Sequence, residues 1–249
     1  MLRGFYTAAS GMLNTQRSLE AISNNIANLS TSGYKTTRTH QTSFDRELIL
    51  VENRRKTSGS FSQLYTDKTV NVLEQGAFDF TDSPLDLAID GQAAFRIQAA
   101  NGTYLTRAGQ LSLDDEGYLS LGSKGRILGE DGPIQLTSSD FTVSKSGLIT
   151  AANGDTHQLA LTYLPADTEI DQYREQLFTI RTDGEGDTGD IPENAEVSVI
   201  QGAYERSNVN VATEMTRAIR EQRAYEASSQ MIKLFNEMNT RSSTELAKL

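Results

Sequence analysis

Apolar positions recur with two different periods along this chain. Near the N-terminus, Leu2, Phe5, Ala9, Met12, Gln16, Leu19, Ser23 and Ile26 follow one another at alternating spacings of three and four, a heptad seam on one helical face. Leu13, Ile22 and Leu29 widen that stripe. The C-terminal stretch opens on Asn210, a residue suited to cap a helix, with Glu214 in the first turn, where a carboxylate meets the positive end of the helix dipole. Its seam runs through Val211, Met215, Ala218, Gln222, Tyr225, Ser229 and Ile232, and Ile219, Met231, Phe235 and Met238 broaden it. Neither Gly nor Pro occurs from Met12 to Ser32 or from Ala203 to Leu249, so both stretches predict continuous helices. At about 1.5 Å per residue they would be roughly 35–40 Å and roughly 50 Å long.

Such stripes can belong to helices packing on each other or on a sheet. Apolar residues on more than one face, with polar residues interrupting the seam, instead predict surfaces that meet several neighbours. Gln16 and Gln222 then either fix register, as a seam polar residue does in coiled coils, or face solvent.

Between the helices the period falls to two. Leu85 to Ile89 alternates apolar and polar, as do Leu111–Leu113 and Tyr118–Leu121 about an Asp114–Gly117 turn, which predicts a hairpin. Phe141–Val143 and Leu148–Thr150 flank a second turn, and Leu159–Tyr163, Leu177–Ile180 and Val197–Ile200 complete the set. Many short strands with Gly-rich turns predict an antiparallel barrel or sandwich over residues 76–204. The fold class is therefore α+β: terminal helices (1–35 and 205–249) forming a coiled-coil-type core, a connector at 36–75, and a β-rich middle. The connector is polar without a clear period, and its Arg54-Arg55-Lys56 and Ser58-Gly59-Ser60 runs fit a flexible link or an arm that folds against a partner.

Composition sharpens this division. Of the 249 residues, none is Cys, which excludes disulfides, thiolate metal ligands and a thiol nucleophile. Residues 1–60 carry 8 basic and 4 acidic side chains, residues 61–200 carry 8 and 23, and residues 201–249 carry 7 and 6. The acidity belongs to the middle, and an overall net charge of −10 opposes nucleic-acid binding. No window has the roughly 18–20 apolar residues of a membrane span, and MLRGFYTAAS lacks the apolar region of a secretory signal. These features predict a soluble chain that is not inserted in a membrane and does not use the standard secretion route.

Chemical motifs are weak. His40 and His157 have no Ser or Asp at triad-like spacing, and the glycines at 122, 125, 129 and 132 read as hairpin turns rather than a dinucleotide fingerprint. The acids of Asp183-Gly184-Glu185-Gly186-Asp187 alternate like a calcium loop, yet Thr188 stands where Gly is required and Asn194 where Glu is expected. Asp114 and Glu116 could in principle serve glycan hydrolysis, although acidic pairs in turns are usually solvated. No catalytic, cofactor or metal site is predicted.

Two terminal motifs carry a family resemblance. Ala9-Ser10-Gly11-Met12 with Ile22-Ser23-Asn24-Asn25-Ile26-Ala27-Asn28-Leu29-Ser30-Thr31-Ser32-Gly33-Tyr34-Lys35, and Gly202-Ala203-Tyr204-Glu205-Arg206-Ser207-Asn208-Val209-Asn210-Val211, resemble the signatures of bacterial flagellar rod and hook proteins. Tyr104 to Gly109 and Leu85 to Gly91 are similar to the family's central blocks. The resemblance implies a structural, non-enzymatic rod subunit in the basal body, exported by the flagellar type III apparatus and polymerised helically with copies of itself and other axial proteins to carry torque to the hook. The connector lacks the Gly-Thr-Gly-type turn of the distal rod class, which implies a proximal position, with a distal rod or hook-type subunit as the alternative.

The expected polymer interface comprises Leu2, Phe5, Ala9, Met12, Gln16, Leu19, Ile22 and Ile26 on one helix. On the other it comprises Val211, Met215, Ile219, Gln222, Tyr225, Ile232 and Phe235. Asn25, Asn28, Gly33 and Tyr34 form the expected helix exit, with Gly33 ending the helix in a left-handed conformation. If the helices bury their seams only in the polymer, the free chain has loosely ordered ends.

Overall fold

The computed structural model describes residues 2–43, 64–165, 168, 170–174, 176–180, 192 and 196–246. It is α+β, with a helix at each end and an antiparallel β-rich middle. Two compact units divide the chain: residues 1–26, 37–70 and 210–249 in the first, and 27–36 with 71–209 in the second.

The first unit holds α1 (Leu2–Ala27), α2 (Val211–Leu246) and a ribbon of β1 (Thr37–Ser43) and β2 (Leu64–Asn71). Asn210 caps α2 as its residue type predicts: its Oδ1 accepts the Thr213 amide at 3.2 Å and its carbonyl accepts the Glu214 amide at 2.9 Å. Both breaker-free stretches overestimate their helices. α1 stops at Ala27 because Asn28 folds the chain into a turn, accepting the Thr31 amide at 3.2 Å and the Thr31 hydroxyl at 3.1 Å. Residues 203–205 are a strand, because pairing with residues 78–80 outweighs intrinsic helix propensity there. The connector holds two strands that carry almost no apolar alternation; Arg54–Lys56 and Ser58–Ser60 lie outside the described residues, as does the acidic loop at 183–187 with Thr188 and Asn194.

In the second unit the long sheet is organised by β5 (Ala93–Ala99). One edge of β5 pairs with β6 (Gly102–Thr106). Its other edge is shared between β14 (Leu161–Tyr163), opposite residues 93–95, and β9 (Arg126–Gly129), opposite Ile97 and Gln98. β7 (Ser112–Leu113) pairs with β8 (Leu119–Ser120) and then β9, while β10 (Gly132–Pro133) also pairs with β9. β15 (Ile170–Arg174) and β16 (Leu177–Ile180) extend the β6 side. Smaller sheets join β11 (Phe141–Val143), β12 (Leu148–Ala151) and β13 (Thr156–Gln158); β4 (Leu87–Asp90) with β17 (Ser198–Gln201); and β3 (Phe78–Phe80) with β18 (Ala203–Glu205).

Alternation along β5 sends Ala93, Phe95 and Ile97 into the main core with Leu87, Ile89 and Ile127, and Ala94 into a second cluster with Leu105, Ile170 and Phe178. Gly109 lets two backbones touch: the Leu87 amide donates to the Gly109 carbonyl at 2.9 Å, and a Cβ at 109 would collide with the Leu87 carbonyl. Because Phe95 is fully buried at the middle of this sheet, Phe95→Ala should cost about 3–5 kcal/mol. Chemical denaturation followed by near-ultraviolet signals would check this; a loss below about 1 kcal/mol would place Phe95 outside a packed core.

Candidate functional site

The helices of the first unit run antiparallel with a repeating register. A Cβ on Gly4 would press against the Phe235 ring, and one on Gly11 would lie 3.6 Å from the Ser228 hydroxyl. Asn25 Nδ2 donates to Glu214 Oε2 at 3.2 Å. Each step of seven or fourteen residues along α1 is thus matched by the same step back along α2. Val211, Glu214, Ala218, Glu221, Tyr225, Ser228, Ile232 and Phe235 of α2 are buried or half-buried at spacings of three and four, with Arg217 and Ser229 half-buried beside them.

This seam shares Val211, Ala218, Tyr225 and Ile232 with the expected one and differs from it on α1. On α2, Val211, Tyr225, Ile232 and Phe235 are at least half-buried, whereas Met215, Ile219 and Gln222 are exposed. On α1 the closest approaches use Gly4, Gly11 and Asn25, and Asn14, Ser18 and Ile22 are buried. Phe5, Ala9, Met12, Leu19 and Ile26 are half-buried, and Gln16 is exposed and donates to Glu20 at 3.2 Å. The Leu2 side chain lies outside the described residues. The free chain therefore buries part of its helical surface within itself. Apolar surface nevertheless stays open at Tyr6, Leu13, Met215, Ile219, Met231, Leu234 and Met238.

Asn25 is the hub of this unit. Fully buried, its side-chain amide mimics a strand neighbour: Oδ1 accepts the Thr37 amide at 2.9 Å and Nδ2 donates to the Thr37 carbonyl at 2.9 Å. Ser18 and Thr39 hydroxyls meet at 3.0 Å alongside. Glu214, predicted to sit at the helix dipole, is buried and holds Asn25 with one oxygen and Arg217 with the other at 2.9 Å.

In the second unit the segment after Asn28 is anchored on a buried carboxylate. Gly33 has φ +68° and a Cβ there would collide with the Arg107 backbone, so only glycine fits; Tyr34 beside it is buried. Gly33 therefore shapes a turn beyond the helix end at Ala27 and does not cap the helix. Its amide donates to the Glu205 carbonyl at 2.8 Å. The Glu205 carboxylate accepts Lys35 Nζ at 2.6 Å, the Gly76 amide at 2.7 Å and Arg107 Nη1 at 3.1 Å, all three side chains being buried. Burial pushes the Lys35 ammonium below its ordinary value; Glu205 opposes that shift and Arg107 adds to it. Asn208 repeats the Asn25 device, accepting the Thr36 amide at 2.7 Å and donating to the Val72 and Glu74 carbonyls at 3.0 Å.

The carboxylates proposed for hydrolysis are committed elsewhere. Arg126 binds Asp114 and Glu116, each at 2.8 Å, and stacks on Tyr118 at 4.1 Å. Desolvation raises the Asp114 pKa, but hydrogen bonds from the Tyr118 amide, Arg126 and the Glu116 amide outweigh it and hold the group below the usual carboxylate range. A general acid needs the opposite shift. His40 is exposed on β1 and His157 faces Ile149 across β12 and β13.

Three known family descriptions match the chain: "Flagella basal body rod protein" over residues 5–35, "Flagellar hook protein FlgE/F/G D1 domain" over 88–151 and "Flagellar basal body rod FlgEFG protein C-terminal" over 200–245. The flagellar basal-body rod protein FlgG of Bacillus subtilis (strain 168) is 31% identical over 260 residues, covering 96% of this chain and 97% of that protein. The chain belongs to the flagellar basal-body rod protein family. FlgG of Caulobacter vibrioides is also 31% identical, covering 95% and 97%, and the flagellar hook-basal body complex protein FlhO of B. subtilis is 26% identical over the whole of both chains. Membership makes this a structural subunit of the basal body, not an enzyme. The matched termini coincide with α1 and its exit, and with β18 and α2.

Two outcomes follow from these ion pairs. Glu205→Gln leaves Lys35 and Arg107 buried without a countercharge and should cost about 3–5 kcal/mol by denaturant titration, more than replacing the trio with apolar residues. The ionised Asp114 stabilises the native hairpin above the unfolded carboxyl pKa of about 4 and stops doing so as pH falls through its lower native value. The stability gap between the wild type and Asp114→Asn should therefore close as acid titration proceeds below about pH 4.

Proposed function

We propose that the chain polymerises helically with copies of itself and with other axial proteins of the rod and hook, after delivery by the flagellar export apparatus, and that the polymer transmits torque from motor to hook. Residues 1–35 and 205–249 supply its coiled-coil-type core, 36–75 connect, and 76–204 form an antiparallel barrel or sandwich outside that core. One observation carries this reading: the helix pair seats Phe235 on Gly4 and Ser228 beside Gly11 for its own contact, yet leaves Met215, Ile219, Met231, Leu234 and Met238 exposed on α2. A soluble monomer has no use for that many large apolar side chains on one helix. Covering them with a neighbour's Phe5, Ala9, Met12, Leu19 and Ile26 would contribute about 0.8 kcal/mol per methylene buried. Gln16 and Gln222 set register between copies, and Asn25, Asn28, Gly33 and Tyr34 fix the path by which the chain leaves α1.

Leu234→Asp separates folding from assembly, since Leu234 is exposed in the single chain. The purified variant should keep its circular dichroism and its stability within about 0.5 kcal/mol. Cells carrying it as their sole copy should build no rod beyond this subunit and fail to swim. Normal rods and motility from both Leu234→Asp and Ile219→Asp would overturn the proposal.

A further inference from the structure

The chain has five methionines and no cysteine, so thioethers are its only oxidisable sulfur. Three of them, Met215, Met231 and Met238, lie on α2 and are 52%, 55% and 54% exposed. Met215 flanks the α1-facing seam on one side, and Met231 and Met238 flank it on the other. Met12 on α1 is half-buried. Oxidisable sulfur is therefore concentrated on the apolar surface that the helix pair leaves uncovered.

We propose that these three thioethers are a modification site: a peroxide converts them to sulfoxides, and the oxidised α2 no longer accepts a neighbouring copy. The inference rests on the assembly reading above. In each step a sulfur lone pair attacks one peroxide oxygen, the O–O bond breaks, and sulfur is oxidised by two electrons to the sulfoxide. The departing hydroxide takes the proton of the transferred hydroxyl and leaves as water. A flexible apolar group becomes a strong hydrogen-bond acceptor that must be stripped of water before the helix can be covered. Covering also shields the sulfur, so the chain is sensitive before incorporation and protected after it.

The full-length chain, treated with graded hydrogen peroxide, would be followed by peptide mass mapping and by sedimentation at concentrations where the untreated chain associates. The same treatment is applied to a triple variant, Met215→Leu, Met231→Leu and Met238→Leu, which keeps volume and apolarity. Expected is sulfoxide formation at the three positions about tenfold faster than at Met12, loss of association in the wild type, and retention of it in the triple variant. Equal oxidation at Met12, unchanged association of oxidised wild type, or equal loss in the triple variant would each overturn the inference while leaving assembly itself intact. If the untreated wild type and the triple variant both stay monomeric at every concentration, the assembly reading fails and the inference falls with it.

Discussion

A chain leaving a helix exposes backbone groups that must find partners, and burying them without partners is costly. Here two asparagine side chains meet that need. Asn25 pairs with both backbone groups of Thr37, and Asn208 binds the amide of Thr36 together with the carbonyls of Val72 and Glu74. A carboxamide carries a donor and an acceptor at the spacing of a peptide group, which Asp or Leu cannot reproduce. Glu205 adds the charge-assisted part, drawing Lys35, Arg107 and the Gly76 amide to one buried carboxylate.

The helix pair divides its side chains between an inner contact and an open surface. At Gly4 and Gly11 the absence of a side chain lets the Phe235 ring and the Ser228 hydroxyl come close to the α1 backbone, where the gain is van der Waals packing. Ile22, Val211, Tyr225 and Ile232 are buried or half-buried along the same pair, while Leu13, Met215, Ile219, Met231, Leu234 and Met238 stay open.

Much of the architecture was legible in the sequence. The hairpins at 112–120 and 141–151 announced themselves through apolar alternation on either side of Gly117 and Gly147, both at positive φ. Asn210 marked the start of α2 through its capping chemistry. β5 did not stand out, because its pattern is half alanine and it carries Arg96, whose Nε donates to Thr162 at 2.6 Å. β1 was invisible for a related reason: Thr-Arg-Thr-His-Gln-Thr-Ser is held by polar contacts, and hydropathy cannot register those. On α1 the contact at Gly4, Gly11 and Asn25 falls one residue from the apolar stripe because small and polar residues make the close approach and hydropathy cannot register them, whereas on α2 Val211, Ala218, Tyr225 and Ile232 are half-buried along it. Lys35, Arg107 and Glu205 show no pattern in hydropathy that brings them together, yet each lies in a different block that resembles the family, which was the available sign that they meet.

The seat of Phe235 over Gly4 ties together the start of α1 and the latter half of α2. A methyl group gained at Gly4 would have to displace that ring, and an insertion within either helix that is not a whole heptad would break the match on one side of the insertion. The register of one helix thus constrains which residues the other can carry at each heptad step.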